Sequence, residues 1–239
     1  MFIFQYIRII KAQDVIYQTK DQIFYKCRKN TTDFGILNEV LILNEYNQYS
    51  NELTSDSCIV DFGAQGGSFS IFMAHQLNAK VFSFEPEPNN YRLLLENISL
   101  NKLSTLVTSF NYAISNQTKK DVLYLSNNQN QGIHSRFKTT SNQIEINCIS
   151  VRKVLELVDL PIDLLKVDIE GSEHEILNLK SDFFFKHVKR IILEYHAQNH
   201  FSNTQSLEHI INTIHELGFN IDKIKGNPEI GIIAAQKKV

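Results

Sequence analysis

The 239-residue chain lacks several features that mark specialised classes of protein. No stretch approaches the roughly 18 consecutive apolar residues of a transmembrane helix, so we predict no integral membrane segment. The apolar N-terminus, MFIFQYIRII, is interrupted by Arg8. It has no basic region before it and no small-residue cleavage site after it, so it does not predict a signal peptide.

Cysteine is scarce, and basic clusters are absent. The three cysteines are far apart, odd in number and without C-x-x-C spacing, which argues against a disulfide framework or a zinc site. They are typical of reduced thiols, and we therefore predict a cytoplasmic protein. The net charge is −2 and no basic block is present, so the sequence does not indicate a nucleic-acid partner. It gives no indication of oligomeric state.

The most informative stretch is residues 57–70, SCIVDFGAQGGSFS. A short apolar run beginning at Cys58 predicts a buried strand, and Asp61 is expected to end it. Glycines follow, where a missing Cβ allows a tight turn or close approach of a ligand. A helical pattern of apolar residues begins at Phe69. Strand, glycine turn and helix together are typical of the opening of a nucleotide-binding βαβ unit.

The glycine turn departs from the G-x-G-x-x-G pattern of dinucleotide sites. Counted from Gly63, the second and third glycines of that pattern would fall where Gln65 and Ser68 stand. The second glycine normally lets a pyrophosphate approach the backbone. We therefore predict a nucleoside cofactor without a pyrophosphate, and S-adenosylmethionine (SAM) is the common one.

Glu85 strengthens this interpretation, because it ends the next apolar run. An acidic residue about 20 residues after the first glycine, at the tip of the second strand, accepts hydrogen bonds from ribose hydroxyls. Glu85 lies close to that spacing from Gly63, and we predict that it binds the ribose.

Apolar runs and helical patterns alternate along the rest of the chain. After the first strand, runs that predict strands cover residues 79–84, 105–112, 122–125, 144–149, 164–167, 188–193, 219–224 and 230–235. This order predicts an α/β fold with a mostly parallel sheet, helices on both faces and an antiparallel C-terminal strand. Ligands in such sheets bind beyond the carboxyl ends of the strands. The acidic residues predicted at those ends are Asp61, Glu85, Asp168, Glu170 and Glu194.

Two segments are candidates for covering the substrate. Residues 1–50 are predicted to form an N-terminal helical cap, because apolar residues between Phe34 and Tyr46 recur at helical spacing, and residues 51–239 form the main domain. A long polar loop, NNQNQGIHSRFKTTSNQ, separates two predicted strands, and long loops are often functional. Its candidate acceptor-binding residues are His134, Ser135 and Arg136.

Four segments together resemble the FkbM-type family of class I SAM-dependent methyltransferases: IVDFGAQGGSFS, VFSFEPEPNNYRLLLENISLN, DLLKVDIEGSEHEIL and IILEYH. The resemblance spans roughly residues 36–220 in the family's order. It implies a Rossmann-like fold and methyl transfer to a hydroxyl oxygen, often of a sugar or natural product. Residues 51–239 would then be the methyltransferase domain.

The resemblance also implies roles for individual residues. Those that would line the SAM site are Asp61, Gly63, Ala64, Gly67 and Glu85, and those that would face the transferring methyl group are Asp168 and Glu170. The family usually has Asn where Gln65 stands and a bulky apolar residue where Gly66 stands. Gln65 remains a cofactor-binding candidate, because its side chain can still donate and accept hydrogen bonds.

Methyl transfer to a hydroxyl is faster when a general base removes the proton. The candidate bases are Asp168, Glu170, Glu194 and His196, and histidine has a suitable unperturbed pKa. Alternatively, Asp168, Glu170 and Glu194 could hold a divalent cation such as Mg²⁺ through oxygen ligands, although no compact metal motif is present. We attribute Glu173 and Glu175 to the favourable placement of negative charge at a helix start.

Two other functions remain open at this stage. A nicotinamide-dependent dehydrogenase would use the same βαβ unit, and a non-catalytic fold-mate could bind SAM without turnover. The altered pair Gln65-Gly66 motivates the second alternative. For the methyltransferase, we expect a small-molecule or glycan acceptor.

Overall fold

The computed structural model describes residues 4–11, 14–42, 46, 48–125, 142–170, 172–177, 182–197 and 206–238. The strands in chain order are β1 (Phe4–Lys11), β2 (Asp14–Thr19), β3 (Phe24–Arg28), β4 (Cys58–Phe62), β5 (Lys80–Phe84), β6 (Val107–Phe110), β7 (Ala113–Ser115), β8 (Lys119–Tyr124), β9 (Gln143–Ser150), β10 (Leu164–Val167), β11 (Arg190–His196), β12 (Phe219–Gly226) and β13 (Ile230–Lys237). The helices are α1 (Asp33–Leu41), α2 (Ser68–Leu77), α3 (Pro88–Leu100), α4 (Val151–Val154), α5 (Glu173–Leu177), α6 (Asp182–Phe185) and α7 (Leu207–Glu216).

A seven-stranded sheet forms the centre of the fold, in the order β12-β13-β11-β10-β4-β5-β6. The strands from β11 to β6 are parallel, whereas β13 runs antiparallel to both β11 and β12. The predicted α/β class, parallel sheet and antiparallel C-terminal strand are therefore confirmed. The pairing of β10 with β4 places the strand before Asp168 beside the strand before the glycine turn.

Each face of the central sheet carries its own hydrophobic core, because neighbouring residues of a strand point to opposite faces. Val60 and Phe62 belong to the core that includes α5, α6 and α7. Ile59 belongs to the opposite core, which includes α2. All residues of β4 and β10 are buried, as expected for strands covered on both faces.

The N-terminal region is not only helical, and this corrects the sequence analysis. Helix α1 confirms a helix near the predicted position, but β1, β2 and β3 precede it as an antiparallel sheet that was not predicted. The division into a cap (1–50) and a main domain (51–239) stays a prediction. Leu37 and Val40 of α1 nevertheless pack into the same core as α2, so this region contributes directly to the central fold.

Two asparagines, Asn97 of α3 and Asn101 at the C-cap of that helix, hold β3 against the central domain. Asn101 Oδ1 accepts a hydrogen bond from Phe24 N (2.8 Å), and Asn101 Nδ2 donates one to Phe24 O (2.7 Å). In the same way, Asn97 Oδ1 accepts a hydrogen bond from Lys26 N, and Asn97 Nδ2 donates one to Lys26 O. The Nδ2 atom also donates to Gly66 O at 2.9 Å. The asparagine amides satisfy backbone groups at the edge of β3, and Asn97 ties that strand to the glycine turn.

The remaining strands form a small sheet in the order β7-β9-β8. The two predicted strands at residues 122–125 and 144–149 correspond to β8 and β9, which pair antiparallel. The short strand β7 was not predicted. The polar loop with His134, Ser135 and Arg136 lies outside the described residues, and so does the acceptor-binding role assigned to it. In the described segments, no helix has both the length and the hydrophobicity that crossing a bilayer demands.

Candidate active site

A cavity of about 450 Å³ opens at the carboxyl ends of the parallel strands. Its volume lies in the range typical of small-molecule sites. The residues predicted to be functional that line it are Gly63, Ala64, Gln65, Glu85, Asp168, Glu170, Glu194 and His196. The structure thus brings the predicted cofactor end and the predicted catalytic end into one cavity.

Asp61 and Gly67 were also predicted to bind the cofactor, but neither lines this cavity. Gly67 caps the N-terminus of α2 in a left-handed conformation. Asp61 lies within β4 rather than ending it and is completely buried beneath the cavity. Direct contact of either residue with a cofactor stays a prediction.

Glu85 forms one end of the cavity. Its side chain is almost fully buried, and its two carboxylate oxygens accept backbone hydrogen bonds from Gln65 N and Glu87 N, each at 2.8 Å. Burial raises the pKa of Glu85 to about 7, although the hydrogen bonds from Glu87, Gln65 and Asn90 oppose that rise. A carboxylate has about four lone-pair sites, and the donors Gln65, Glu87 and Asn90 fill three of them, so one site is left to accept a bond from a ligand hydroxyl.

The glycine turn packs closely against the backbone of Asp168. Gly63 has a φ of +81°, and a Cβ built there would lie 1.7 Å from the backbone oxygen of Asp168. Only glycine allows this approach. The turn therefore contacts the segment that carries the catalytic candidates.

Gly66 explains one departure from the family pattern. A Cβ at this position would lie 2.8 Å from Leu93 Cδ2 of α3, so this chain has no room for a bulky apolar side chain there. The contacts of Gln65 explain the other departure, in which glutamine replaces the usual asparagine. Its longer side chain donates from Nε2 to Asp33 Oδ1 at 2.8 Å and accepts a bond from Gly66 N.

Lys166 is a site residue that the sequence analysis missed. It lies in the otherwise apolar strand β10, and its Nζ atom approaches Asp61 Oδ1 (3.2 Å), Gly63 O (3.1 Å) and Asp168 Oδ2 (3.3 Å). Burial lowers its pKa, but the charges of Asp61, Asp168 and Glu194 outweigh that effect and raise the pKa above its usual value. Lys166 is therefore a buried cation among carboxylates. The sequence feature that could have indicated this residue is a lysine within the otherwise apolar run LLKV.

Two aromatic rings complete the surroundings of Lys166. The Nζ atom lies 5.2 Å from the ring centroid of Tyr46 and 5.8 Å from that of Phe69. These distances are typical of cation–π contacts. The hydroxyl of Tyr46 also donates a hydrogen bond to Glu194 Oε2. Tyr46 thus links the N-terminal region to the catalytic end of the cavity.

The carboxyl groups of Asp168, Glu170 and Glu194 lie near one another at this end of the cavity, so their negative charges interact. Burial and the charge of Asp168 raise the pKa of Glu170 and of Glu194 above the usual range for glutamate. Glu170 also has a φ of +52°, which is uncommon for a residue other than glycine. The segment after β10 therefore presents Asp168 and Glu170 from an unusual backbone turn.

His196 is held among these carboxyl groups. Its Nδ1 atom lies 3.2 Å from Glu173 Oε1, and its Nε2 atom lies 3.5 Å from Glu170 Oε2 and 3.9 Å from Glu194 Oε1. Burial lowers the pKa of His196, but the hydrogen bond and charge of Glu173, with the charges of Glu170 and Asp168, raise it to about 9. The imidazole is therefore protonated at neutral pH.

Glu173 has a larger role than the helix-start charge assigned from the sequence. Its side chain is only 2% exposed, and besides contacting His196 its Oε1 atom accepts a hydrogen bond from Ile169 N at 3.2 Å. Glu173 thus fixes both His196 and the backbone between Asp168 and Glu170. Only the three-dimensional structure shows this connection, because Glu173 begins α5 whereas His196 ends β11.

The sequence profile of the Methyltransferase FkbM domain matches residues 61–221, which is more than half of the chain. The chain belongs to the FkbM methyltransferase family. The match includes the glycine turn and the segment from Asp168 to His196.

Two curated relatives of this FkbM methyltransferase are similar at low identity. Methyltransferase sdnD from Sordaria araneosa is 27% identical over 179 residues, covering 59% of this chain and 67% of the relative. Hexuronic acid methyltransferase AglP from Haloferax volcanii is 27% identical over 147 residues, covering 61% of this chain and 59% of the relative. The alignment thus spans less than two thirds of the second relative.

Solved structures confirm the Rossmann-like methyltransferase fold. TYW2 from M. jannaschii, solved in complex with AdoMet, has a TM-score of 0.51 at 15% identity, covering 97% of this chain and 90% of that one. Precorrin-6y C5,15-methyltransferase from Geobacter metallireducens has a TM-score of 0.51 at 14% identity, covering 89% and 93%. At this identity the likeness concerns the fold alone.

A divalent cation has no support in the part of the chain that the structure describes. There, no group of three or more His, Cys, Asp or Glu side chains is arranged to hold a metal ion. Asp168 contacts Lys166, Glu194 contacts Tyr46, and Glu170 faces His196 instead. The predicted carboxylates thus have protein partners that are cations or hydrogen-bond donors.

Proposed function

We propose that this FkbM family member is a SAM-dependent O-methyltransferase that acts on a hydroxyl group of a sugar, glycan or natural product. The observation that carries the proposal is the single cavity with Glu85 at one end and the cluster of Asp168, Glu194 and His196 at the other. The family assignment supports methyl transfer. The name of AglP, a hexuronic acid methyltransferase, supports a sugar-like acceptor.

The residues at the Glu85 end fit SAM. A buried carboxylate with a remaining lone pair suits a ribose hydroxyl, and Gly63 and Ala64 line the same cavity. We propose that Glu85, Gly63, Ala64 and Gln65 hold the cofactor. When bound, SAM would supply a methyl group already activated by a sulfonium cation.

At the other end, the protein must orient the acceptor hydroxyl and receive its proton. Asp168 is the proposed proton acceptor, because it lines the cavity and its carboxylate is 24% exposed. As the acceptor oxygen gains the methyl group, its proton would pass to Asp168. Positioning of this kind contributes on the order of 7–11 kcal/mol, and a general base about 10²–10⁴-fold in rate.

Glu170, Glu194 and His196 have supporting roles in this proposal. His196 is not the favoured base, because its imidazole is already protonated at neutral pH. As a cation, it instead balances the charge of the surrounding carboxylates. Glu194 is the alternative proton acceptor, because burial and the charge of Asp168 raise its pKa to about 7, in the range that suits a general base.

Calorimetric titration with SAM, S-adenosylhomocysteine and NAD tests the cofactor. We expect binding of the first two and none of NAD. Binding of NAD alone would favour the dehydrogenase instead. Incubation with labelled SAM and a panel of glycans and small alcohols then tests transfer, and a methylated hydroxyl product would exclude the non-catalytic fold-mate.

We also propose a cellular compartment and a class of acceptor for this protein. Cys27, Cys58 and Cys148 are buried and form no disulfide bond, which supports a reducing compartment such as the cytoplasm. The near-neutral charge supports an acceptor other than nucleic acid.

A further inference from the structure

An ion pair in the N-terminal region lies directly behind the Glu85 end of the cavity. Arg28, the last residue of β3, donates to Asp33 Oδ2 from Nε (2.9 Å) and from its backbone N (2.8 Å), and to Asp33 Oδ1 from Nη2 (2.9 Å). Asp33 begins α1, and its side chain is 2% exposed. A buried, forked pair of this kind fixes the geometry of both side chains.

Asp33 reaches Glu85 through the glycine turn. Its Oδ1 atom accepts a hydrogen bond from Gln65 Nε2 at 2.8 Å, and the backbone N of Gln65 donates to Glu85 Oε2 at 2.8 Å. Gln65 has a φ of +51°, a conformation that is uncommon for a residue other than glycine. The contact with Asp33 restrains this residue, and it keeps the backbone N–H directed at Glu85.

Arg28 reaches Glu85 from the opposite side, through Asn90. The Nη2 atom of Arg28 donates to Asn90 Oδ1 at 2.7 Å. That bond occupies the amide oxygen and so leaves the amide NH₂ group as the donor to Glu85. The hydrogen bond from Asn90 lowers the pKa of Glu85 against the effect of burial, which favours the charged carboxylate.

We propose that Arg28 and Asp33 are positioning residues for ribose recognition, which together orient the two groups that fix the Glu85 carboxylate, Gln65 and Asn90. This inference rests on the proposed function, because it assumes that Glu85 binds the ribose of SAM. It assigns the N-terminal region a role in cofactor binding. It also gives the longer side chain of Gln65 a purpose, since that side chain reaches Asp33.

The test compares the affinity for S-adenosylhomocysteine with that for its 2′,3′-dideoxy analogue by calorimetry. The ratio of the two affinities measures how strongly the protein recognises the ribose hydroxyls. Three variants interrupt the arrangement at different points: Arg28→Lys keeps the charge but loses the fork, Asp33→Asn removes the charge, and Gln65→Asn shortens the link while leaving the ion pair intact. We expect each to lower the ratio at least about tenfold.

Glu96→Gln is the matched control. Glu96 pairs with Lys26 of β3 at 2.7 Å, so this variant also breaks an ion pair between β3 and the main domain, but Glu96 is exposed. Its ratio should stay within about twofold of the unmodified protein. Thermal unfolding of every variant verifies that it is folded at the temperature of titration, and Gln65→Asn provides the test if the ion-pair variants are not.

The outcomes separate the inference from the proposed function. An unchanged ratio in the folded variants would overturn the inference, and so would an equal loss of affinity for both ligands, which would indicate a merely structural ion pair. If the unmodified protein binds neither SAM nor S-adenosylhomocysteine, the proposed function fails and the inference fails with it.

Discussion

The two ends of the cavity hold their carboxylates by different means. At one end, backbone N–H groups and an amide surround Glu85, and all of these donors are neutral. At the other end, Asp168, Glu170 and Glu194 lie among the cations Lys166 and His196. The first arrangement is suited to fixed recognition of a neutral ligand group. The second arrangement is suited to chemistry in which a proton moves, because charge there is shared among several groups.

The difference has an energetic consequence. Breaking a neutral hydrogen bond costs about 1–3 kcal/mol when it leaves a buried group unsatisfied, whereas removing one partner of a buried ion pair costs about 3–5 kcal/mol. Mutations at the catalytic end should therefore affect stability as well as rate. Mutations of the neutral donors around Glu85 should mainly affect cofactor affinity.

Lys166→Met should produce the largest effect. The side chain of Lys166 is 4% exposed and that of Asp61 is fully buried, so the variant would leave Asp61 charged without its cation. We expect the free energy of unfolding at neutral pH to fall by about 3–5 kcal/mol. Denaturation by urea, followed by circular dichroism, measures the change.

Lys189→Met is the control for this comparison. Lys189 pairs with Asp163 at 2.7 Å, but its side chain is 52% exposed, so the variant should cost less than about 1 kcal/mol. Equal losses for the two variants would show that Lys166 is not a buried counter-ion. The two ends of the cavity would then not differ in whether a buried cation stabilises their carboxylates.

Much of the central fold was predictable from the sequence because its strands are short, continuous apolar runs. Strands β4 and β10 are buried on both faces, so their composition alone identifies them. The strand β2 was missed because only two of its residues are buried, and β3 was missed because it has only five residues, although these alternate between half-buried and buried. The free edge of β3 is bonded by Asn97 and Asn101, which lie more than 70 residues away in the sequence.

The site residues that lie at the ends of predicted strands were predictable from the sequence. Glu85, Asp168, Glu194 and His196 were identified in this way, and all of them line the cavity. Lys166 was not identified, because the partners of a lysine within a strand depend on the register of β10 against β4. The link from Asp33 to Gln65 depends on how α1 packs, and no local pattern encodes that packing.

Asp168→Asn should produce the next largest effect, and it tests the catalytic end alone. The substitution keeps the size of the side chain but removes its charge and basicity, so we expect turnover to fall at least about 100-fold. The affinity for S-adenosylhomocysteine should change less than about threefold, since Glu85 is the proposed ribose ligand. Single-turnover transfer of a labelled methyl group to an established acceptor, with calorimetry, measures both quantities.

Asp159→Asn provides a comparison at an exposed site. Asp159 pairs with Lys80, and both side chains are more than half exposed. This variant should keep normal turnover and affinity. Normal turnover of Asp168→Asn would instead assign a structural role to Asp168 and would leave Glu170 or Glu194 as the proton acceptor.

The smallest of the three effects concerns His196 and depends on pH. The pKa of His196 is raised to about 9 in the folded protein, from an ordinary value of 6.5. A raised pKa means that the folded state binds the proton more tightly than the unfolded chain does. The resulting stabilisation is fully present below about pH 6.5 and is lost as the pH rises through about 9. Its size is on the order of 2 kcal/mol, because each pKa unit is about 1.4 kcal/mol and the ring is partly exposed.

His196→Gln should therefore be less stable than the unmodified protein by that amount at pH 6, and the difference should shrink steadily towards pH 9. Urea denaturation across this range measures it, with His75→Gln on the exposed surface of α2 as the control. Subtracting the curves removes the contribution of Glu85, whereas Glu170 and Glu194 contribute to the measured difference because the charge of His196 lowers the pKa of both. A difference for His196→Gln that stays constant from pH 6 to pH 9 would mean that His196 is neutral in the folded protein. The catalytic end would then hold its carboxylates with Lys166 as their principal cation, and His196 would become available as a general base.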